Sequence, residues 1–232
     1  MRQSFDFHPI PEPSLRRLPT YLQLLRRATT MSQEWISCTQ IAWALNLDPS
    51  QVRKDLEAIG IEGKPRIGYP VKSLTDAIET FLGLRNSNDA FLVGTGHLGS
   101  ALLGYRGFSG NSLTIVAAFD IDEKVVGNSC GNITILPMDK LASLTRRMAV
   151  RIGIIAVPAD AAQGVADTMV ENGITAIWNF APVPLTLSAS VIVEDVNLAS
   201  SLAVLTSRLS RTEASLAGGG TVPHMKKQRI KS

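Results

Sequence analysis

Residues 91–103 read FLVGTGHLGSALL, and the glycines in this stretch decide how the second half of the chain folds. An apolar run comes directly before the pattern Gly-x-Gly-x-x-Gly at 94–99, and a helical pattern follows it. Gly94 allows a tight turn from strand to helix, Gly96 lets a pyrophosphate approach the backbone, and Gly99 permits close packing of helix on strand. The first turn of such a helix presents unpaired N–H groups, which attract phosphates. The segment therefore predicts a nucleotide-binding strand–turn–helix.

An acidic residue, Asp120, closes the next predicted strand about 21 residues after Gly99. Its carboxylate can accept hydrogen bonds from an adenosine ribose, and its charge would repel a 2′-phosphate, which favours NAD(H) over NADP(H). A structural glycine turn in an α/β domain that binds no phosphate is the alternative interpretation. The candidate cofactor-binding residues of this half are Gly94, Thr95, Gly96, His97, Leu98, Gly99 and Asp120.

From residue 89 onward, short apolar runs alternate with helical patterns. Nearly unbroken apolar strands that alternate with helices are typical of a parallel sheet covered on both faces, so we predict an α/β Rossmann-type domain. The predicted strands are 90–93, 113–119, 133–136, 151–157, 176–180 and 191–193, and the predicted helices are 97–105, 137–147, 159–172 and 197–216.

The first 85 residues have a different pattern, which predicts a winged helix. Leucines recur at spacings of three and four in the first helix, where Pro19 predicts a late start or a kink. Ser37–Gln40 is a capping-box sequence, and Asp48 can cap a second helix over 49–59 after a short turn, which makes a helix-turn-helix. The stretch EGKPRIGYPV at 62–71 predicts a small hairpin, and a third helix follows over 73–84.

The second helix of this helix-turn-helix directs Gln51, Arg53 and Lys54 away from its apolar side. The N-terminal part of such a helix reads base edges in the major groove, where Arg and Lys suit guanine and Gln suits adenine. An ordinary solvated helix face is the alternative. The candidate DNA-binding residues are Ser50, Gln51, Arg53, Lys54, Lys64 and Arg66.

The chain is long enough for two small domains, with 232 residues of which 45 % are apolar. Residues 1–85 carry 11 Lys and Arg against 9 Asp and Glu, residues 86–217 carry 8 against 11, and residues 218–232 carry 4 against none. Basic ends around an acidic middle are compatible with nucleic-acid contact.

Membrane insertion and export are not expected. No apolar run reaches the roughly 18 residues of a membrane helix, and the N-terminus has no apolar signal core. The two cysteines, Cys38 and Cys130, fit a reducing cytoplasm and are expected to be inert apolar fillers.

No catalytic constellation accompanies the glycine turn. The chain has three histidines and none of the common hydrolase or kinase motifs, and Tyr105 has no Lys four residues further on. A dehydrogenase needs an acid–base group beside the nicotinamide, so cofactor binding without such a group favours sensing over catalysis. An NAD-dependent oxidoreductase and a nucleotide-binding or CoA-binding regulatory module remain as alternatives.

Seven segments, in order over about residues 10–210, carry a resemblance to a known family. They are IPEPSLRRLPTYLQLL at 10–25, PSQVRKDL at 49–56, GKPRIGY at 63–69, GTGHLGSALLGYRGF at 94–108, IVAAFDIDEKVVG at 115–127, GIIAVPA at 153–159 and NFAPVPL at 179–185. In these segments the sequence resembles the Rex family of bacterial redox-sensing transcriptional repressors.

The resemblance implies a cytoplasmic homodimer whose winged helix binds double-stranded operator DNA and whose Rossmann domain binds NAD(H). It implies that NADH releases the DNA and that Arg17 and Tyr105 link the domains near the nicotinamide. Asn197 stands where family members usually have Asp, so a contact between Arg17 and Asn197 would lack the charge of an Arg–Asp pair. An apolar nicotinamide pocket near Val157, Pro158 and Phe180 would favour the neutral reduced ring, because burying the cationic ring costs more.

These observations predict four regions. Residues 1–85 form the winged-helix domain, residues 86–196 the Rossmann domain, residues 197–217 a last helix and residues 218–232 a disordered basic tail. The resemblance implies that the last helix crosses to the partner subunit.

Overall fold

The computed structural model describes residues 10–85, 88–108 and 112–217. The described residues form two compact units, one of residues 10–85 with Phe108 and Ser112, the other of residues 88–107 and 113–217. The basic tail that we expect to be disordered lies outside the described residues. Each unit has its own apolar core.

The first helix, α1 (Glu12–Thr30), starts with Pro13 in its first turn, where a missing N–H costs nothing. It continues past Pro19, so the expectation of a late start is wrong. The predicted apolar face is present: it is buried at Leu18, Tyr21, Leu22 and Leu25.

The helix-turn-helix consists of α2 (Cys38–Leu45) and α3 (Pro49–Ala58). The capping box at the start of α2 is as predicted, because Ser37 Oγ accepts from the Gln40 amide at 3.2 Å and Gln40 Oε1 accepts from the Ser37 amide at 2.8 Å. Asn46 ends α2 in the left-handed region, with φ 53°. At the start of α3, Asp48 Oδ1 accepts from the Ser50 amide at 2.7 Å.

The wing is smaller than the predicted hairpin and pairs with a distant strand. A bridge between Lys64 and Gly68 closes its turn. The return strand β2 (Tyr69–Pro70) then pairs antiparallel with β1 (Trp35–Ile36), and α4 (Val71–Phe81) follows directly. Gly68 has φ +106°, and a Cβ there would lie 2.3 Å from the Ile36 carbonyl oxygen, so the close approach of the two segments requires glycine.

The second unit is built on a seven-stranded sheet in the order β5-β6-β4-β3-β7-β8-β9. Its strands are β3 (Asn88–Val93), β4 (Leu113–Asp120), β5 (Ser129–Cys130), β6 (Ile133–Pro137), β7 (Ile152–Ile155), β8 (Ala176–Asn179) and β9 (Ile192–Asp195). All neighbours pair in parallel except β5 and β6. Apart from short β5, which the sequence pattern did not predict, this is the expected Rossmann-type sheet.

Four helices connect or follow these strands: α5 (His97–Leu103), α6 (Leu141–Met148), α7 (Ala159–Glu171) and α8 (Leu198–Ala217). Phe91 and Phe119 meet edge to face at 5.2 Å in the centre of the core. No helix within the described residues is both long and apolar enough to cross a membrane.

Candidate functional site

A side chain at each of the three glycines of the turn between β3 and α5 would meet different surroundings. Gly94 has φ +93°, and a Cβ there would lie 2.5 Å from the Ala156 carbonyl oxygen. A Cβ on Gly99 would lie 1.8 Å from the Gly94 carbonyl oxygen. Gly96, with φ −61°, has no atom within 4 Å of the position of a Cβ. The fold therefore requires Gly94 and Gly99, whereas at Gly96 the missing side chain leaves open space.

Asp120 at the end of β4 is joined to this turn. Its Oδ2 accepts from the amide and from the hydroxyl of Thr95, each at 2.7 Å, and its Oδ1 accepts from the Asp122 amide at 3.1 Å. Partial burial alone would raise the pKa of Asp120, but these hydrogen bonds outweigh it and lower the pKa below its usual value. The carboxylate is therefore ionised at neutral pH and is fixed in orientation.

Thr95, one of the predicted cofactor-binding residues, uses both its amide and its hydroxyl as donors to Asp120. Because both already donate to Asp120, Thr95 shapes the turn and offers neither donor to a phosphate. The amides of the first turn of α5, which begins at His97, have no partner within the helix. The side chains of His97 and Leu98 are exposed beside them.

These elements meet at the point where the sheet reverses its strand order. From β3 the chain goes first to β4 and β6 on one side and later to β7, β8 and β9 on the other. In open α/β sheets, ligands bind outside the carboxyl ends of the strands at this point. Val157 follows β7 there, and its Cγ1 is 2.7 Å from where a Gly94 Cβ would lie. Val157, which is half-buried, therefore lies beside the glycine turn, and the exposed Pro158 is the next residue in the chain.

The loop after β8 is held at two points that the sequence pattern did not indicate. The buried Asn179 donates to the Val183 carbonyl at 2.8 Å and to Asp195 Oδ1 at 2.7 Å. Further along, Gln163 on α7 exchanges two hydrogen bonds with the Thr186 backbone, at 3.0 and 2.9 Å. Phe180, predicted near the nicotinamide, lies at the root of this loop, with its amide bonded to the Ile155 carbonyl.

In the first unit, three of the six candidate DNA-binding residues line an open groove of about 960 Å³ between α3 and the wing, whereas Ser50, Gln51 and Lys54 lie outside it. The cations Arg53, Lys64 and Arg66 line it, together with two carboxylates, Glu57 and Glu62. All three cations are exposed, as is Lys54 on α3. The Ser50 hydroxyl is occupied by a 2.5 Å hydrogen bond to Asp48.

The wing presents its two cations in defined positions. Lys64 Nζ lies 4.9 Å from the centre of the Trp35 ring, in a cation–π contact. Arg66 has φ 65°, an uncommon conformation for a residue other than glycine, which places it at the tip of the turn. At the root of the wing, burial and the neighbouring Cys38 thiol raise the pKa of Tyr69 to about 12.

The prediction that Gln51 points outward is wrong in part. Gln51 is half-buried, and its Nε2 donates to Asp55 Oδ1 at 2.9 Å. The partner, Asp55, was not singled out from the sequence, although its position among Val52 and Leu56 on the apolar stripe of α3 is the signal that could have found it. A charge on a buried stripe normally has partners.

Asp55 is fully buried and has four donors. Arg17 on α1 donates from Nε at 2.6 Å and from Nη2 at 2.8 Å, Tyr21 donates its hydroxyl at 2.6 Å, and Gln51 is the fourth. Burial alone would raise the pKa of Asp55, but these hydrogen bonds, led by that of Arg17, hold the pKa well below its usual range. Asp55 is thus an ionised carboxylate that joins α1 to α3.

The three residues predicted to link the domains lie in both units. Arg17 belongs to the first unit and makes its ion pair there, with Asp55. Tyr105 follows α5 in the second unit, with its ring over Gly107. Asn197 precedes α8, and its Oδ1 accepts from the Ser200 amide at 2.9 Å, which caps the helix. The proposed contact between Arg17 and Asn197 stays a prediction.

The two units correspond to two known families. A family model described as a putative DNA-binding protein N-terminus matches residues 9–57, and one described as a CoA binding domain matches residues 85–183. The fold and the two sites therefore define a DNA-binding protein whose second domain is of a nucleotide-binding type.

Relatives over nearly the whole chain are more specific. The redox-sensing transcriptional repressor Rex of Treponema denticola is 46 % identical over 193 residues, which cover 83 % of this chain and 92 % of the relative. The repressor of the same name from Bacteroides fragilis is 40 % identical over 211 residues, 91 % of this chain and 96 % of the relative. The chain belongs to the Rex family of redox-sensing transcriptional repressors.

Solved structures agree with this assignment. The crystal structure of RSP in complex with β-NAD⁺ and operator DNA is 30 % identical, with a TM-score of 0.84, and the match covers 92 % of this chain and all of that one. RSP in complex with β-NADH matches at the same identity with a TM-score of 0.81, over 89 % of this chain and 97 % of that one.

Proposed function

We propose that this chain is a repressor that binds double-stranded operator DNA as a homodimer and is released when NADH binds. The observation that carries the proposal is the joint presence of two preformed sites in one chain. One is the glycine turn with open space at Gly96 and an ionised Asp120 beside it. The other is a winged helix whose exposed cations line one groove.

The residues at the glycine turn fit NAD(H). The open position at Gly96 and the first-turn amides of α5 suit a pyrophosphate, and Asp120 suits the hydroxyls of an adenosine ribose. The apolar Val157 lies beside the turn, where a neutral nicotinamide ring costs less to bury than a cationic one. The solved complexes of RSP, a relative, contain β-NAD⁺ and β-NADH.

The winged helix supplies DNA binding. Arg53 and Lys54 project from the middle of α3, where a recognition helix lies in the major groove, while Lys64 and Arg66 suit phosphates or the minor groove. Two copies related by a two-fold axis predict a nearly palindromic operator with half-sites about one helical turn, or a multiple of it, apart.

The cofactor can lower DNA affinity only to the extent that it binds the DNA-releasing state of the dimer more tightly than the DNA-binding state. A change in the ratio of these two states from 1:99 to 99:1 requires a difference in cofactor binding free energy of about 5.5 kcal/mol. Such a repressor acts where chromosomal DNA lies, so the proposal places it in the cytoplasm.

Two other functions fit parts of the chain. An NAD-dependent oxidoreductase would consume NADH, but among residues 88–108 and 112–217 the structure shows no hydrogen-bonded acid–base pair at the glycine turn. A CoA-binding module would agree with the description of one family model, but CoA carries a phosphate on its ribose, which the ionised Asp120 would repel. Neither alternative explains the winged helix.

One titration separates the three functions. Operator DNA, selected from a random duplex pool with the full chain, is titrated with protein in the presence of NADH, NAD⁺ or CoA and analysed by gel shift. We expect NADH alone to release the DNA without being oxidised. Equal DNA affinity under all three conditions would contradict the proposal, and loss of NADH absorbance would indicate an oxidoreductase.

A further inference from the structure

The side chain of Gln51 is held in one orientation by a buried carboxylate. Asp55 is ionised and can only accept hydrogen bonds, so the Gln51 amide must turn its NH₂ group toward Asp55. The Gln51 carbonyl oxygen and one N–H are then left for a partner outside the protein. Gln51 lies one turn before Asp55 on α3, in the part of the helix that faces base edges.

The other donors make this orientation difficult to change. A carboxylate has about four acceptor positions. Arg17 occupies one on each oxygen, Tyr21 occupies another on Oδ2, and Gln51 occupies another on Oδ1, while Ser14 is a further hydrogen-bonding neighbour. Asp55 is fully buried, so water does not compete for these positions. The hydrogen bond to Asp55 therefore holds the half-exposed Gln51 side chain against a rigid carboxylate.

We propose that Asp55 is a positioning residue for operator recognition, which fixes the Gln51 amide so that its carbonyl oxygen and one N–H face a base edge. This inference rests on the proposed function and adds the base that α3 reads. Adenine is the base that fits, because its N6 donates to a carbonyl oxygen while its N7 accepts an N–H. Guanine presents two acceptors at the same edge and does not fit an amide whose second N–H is already used.

The test uses the full chain and duplexes selected from a random pool. Probes with each of the four bases at every half-site position are compared for binding to wild type, Asp55→Asn, Gln51→Met and Tyr21→Phe. In wild type we expect one position with a preference for adenine over guanine of about 5- to 150-fold, the range of a good bidentate pair. Gln51→Met removes the amide, and in Asp55→Asn the one remaining oxygen is expected to face Arg17 Nε and Tyr21, which turns the new NH₂ group toward Gln51. Both variants should therefore reduce this preference to less than twofold.

Tyr21→Phe is the matched control. It removes one of the hydrogen bonds to Asp55 but leaves the bond to Gln51, so the adenine preference should stay within twofold of wild type. If Asp55→Asn lowers affinity by the same factor for all four bases, Asp55 has a structural role alone and the inference is wrong.

A measurement on the wild-type chain does not depend on any Asp55 variant being folded. The Gln51 side-chain amide signals are assigned by NMR from their loss in Gln51→Met. One of the two protons should exchange with solvent at least several-fold more slowly than those of the exposed Gln23. Equal exchange at Gln51 and Gln23 would overturn the inference, while failure of the wild type to select any DNA would instead overturn the proposed function.

Discussion

Gly96 differs from the other two glycines of the turn, because a side chain there would meet open space and not the protein. Its φ of −61° is also ordinary for any residue. A substitution at this position can therefore change ligand binding without changing the fold. Gly94 and Gly99 offer no such test, since a Cβ at either would strike backbone.

Gly96→Val should lower NADH affinity at least tenfold while the melting temperature stays near that of wild type, because the added side chain fills the space for the pyrophosphate. Isothermal titration calorimetry measures the affinity. Gly164→Ala on α7 is the control, since its Cβ also meets no atom within 4 Å but lies away from the turn. Unchanged NADH affinity in Gly96→Val would place the cofactor elsewhere.

Asp120→Asn should lower the preference for NADH over NADPH by about tenfold, the change that corresponds to 1.4 kcal/mol. The amide oxygen can still accept from Thr95, so the turn is kept, but the charge that repels a 2′-phosphate is lost. Fluorescence titration with both cofactors measures the ratio. Asp122→Asn removes the same charge two residues away and should change the ratio less. An unchanged ratio in Asp120→Asn would remove Asp120 from ribose recognition.

A sequence shows glycines that follow a motif spacing, but it does not show which distant side chains become hydrogen-bond partners in the folded protein. The spacing from Gly94 to Asp120 predicted their proximity because parallel strands end at the same edge of a sheet. The bond between Gln51 and Asp55 escaped prediction because helix periodicity assigns a face to a polar residue but not the direction of its side chain. The partner Arg17 lies 38 residues before Asp55, beyond any local pattern.

At the scale of elements, the ion pair of Arg17 and Asp55 joins α1 to the recognition helix α3. Removing one partner of such a buried pair commonly costs about 3–5 kcal/mol, because it leaves an uncompensated charge. The orientation of α3 on α1 thus depends on one carboxylate.

The stability of the winged-helix unit should fall as pH decreases below about 4. The pKa of Asp55 is well below its unfolded value near 3.8, so in that range the unfolded chain binds a proton that the folded chain does not. Each pH unit then lowers the free energy of unfolding by up to about 1.4 kcal/mol. Above pH 4 this contribution is fully present.

Urea unfolding between pH 2.5 and 7 measures this dependence through Trp35 and Trp43 fluorescence in a Trp178→Phe background. Asp55→Asn should flatten the acid slope relative to that background. Asp76→Asn is the control, because the ion pair of Asp76 with Arg85 is about half exposed. Equal slopes in the Asp55→Asn chain and its background would show that Asp55 is not the titrating group.

Elements with local signals could be predicted and elements with distant partners could not. The capping box at Ser37 and Gln40 fixes the start of α2 through neighbouring residues, and it is where the sequence places it. The wing was predicted as a local hairpin, but its return strand pairs with Trp35–Ile36, more than 30 residues earlier. The two-residue β5 at one edge of the sheet has too few residues to show a pattern.

At the scale of the whole molecule, α8 exposes apolar side chains. Leu202, Leu205 and Leu209 recur at spacings of three and four and are each more than half exposed. Apolar residues on one face of a helix normally pack against another surface. A second copy of the chain is the partner that the proposed dimer supplies.

Leu205→Glu should convert the dimer to a monomer, because it places a charge in the apolar face of α8. Operator affinity should fall at least tenfold, since one winged helix then binds one half-site. Analytical ultracentrifugation and gel shift measure the two effects. Ser207→Glu, on the opposite side of the exposed helix, should leave both unchanged. A Leu205→Glu dimer with normal affinity would show that α8 is not the interface.

The sheet of the second unit ends differently at its two sides. One margin is the two-residue strand β5, which pairs antiparallel with β6, whereas at the other margin β9 has the exposed Glu194 and Asp195 at its end. Unpaired strand margins can recruit identical chains into aggregates, and like charges on them oppose this. Colloidal behaviour should therefore depend on these charges: removing them with Glu194→Gln and Asp195→Asn would make concentrated solutions more prone to precipitate, even where each molecule keeps its native form.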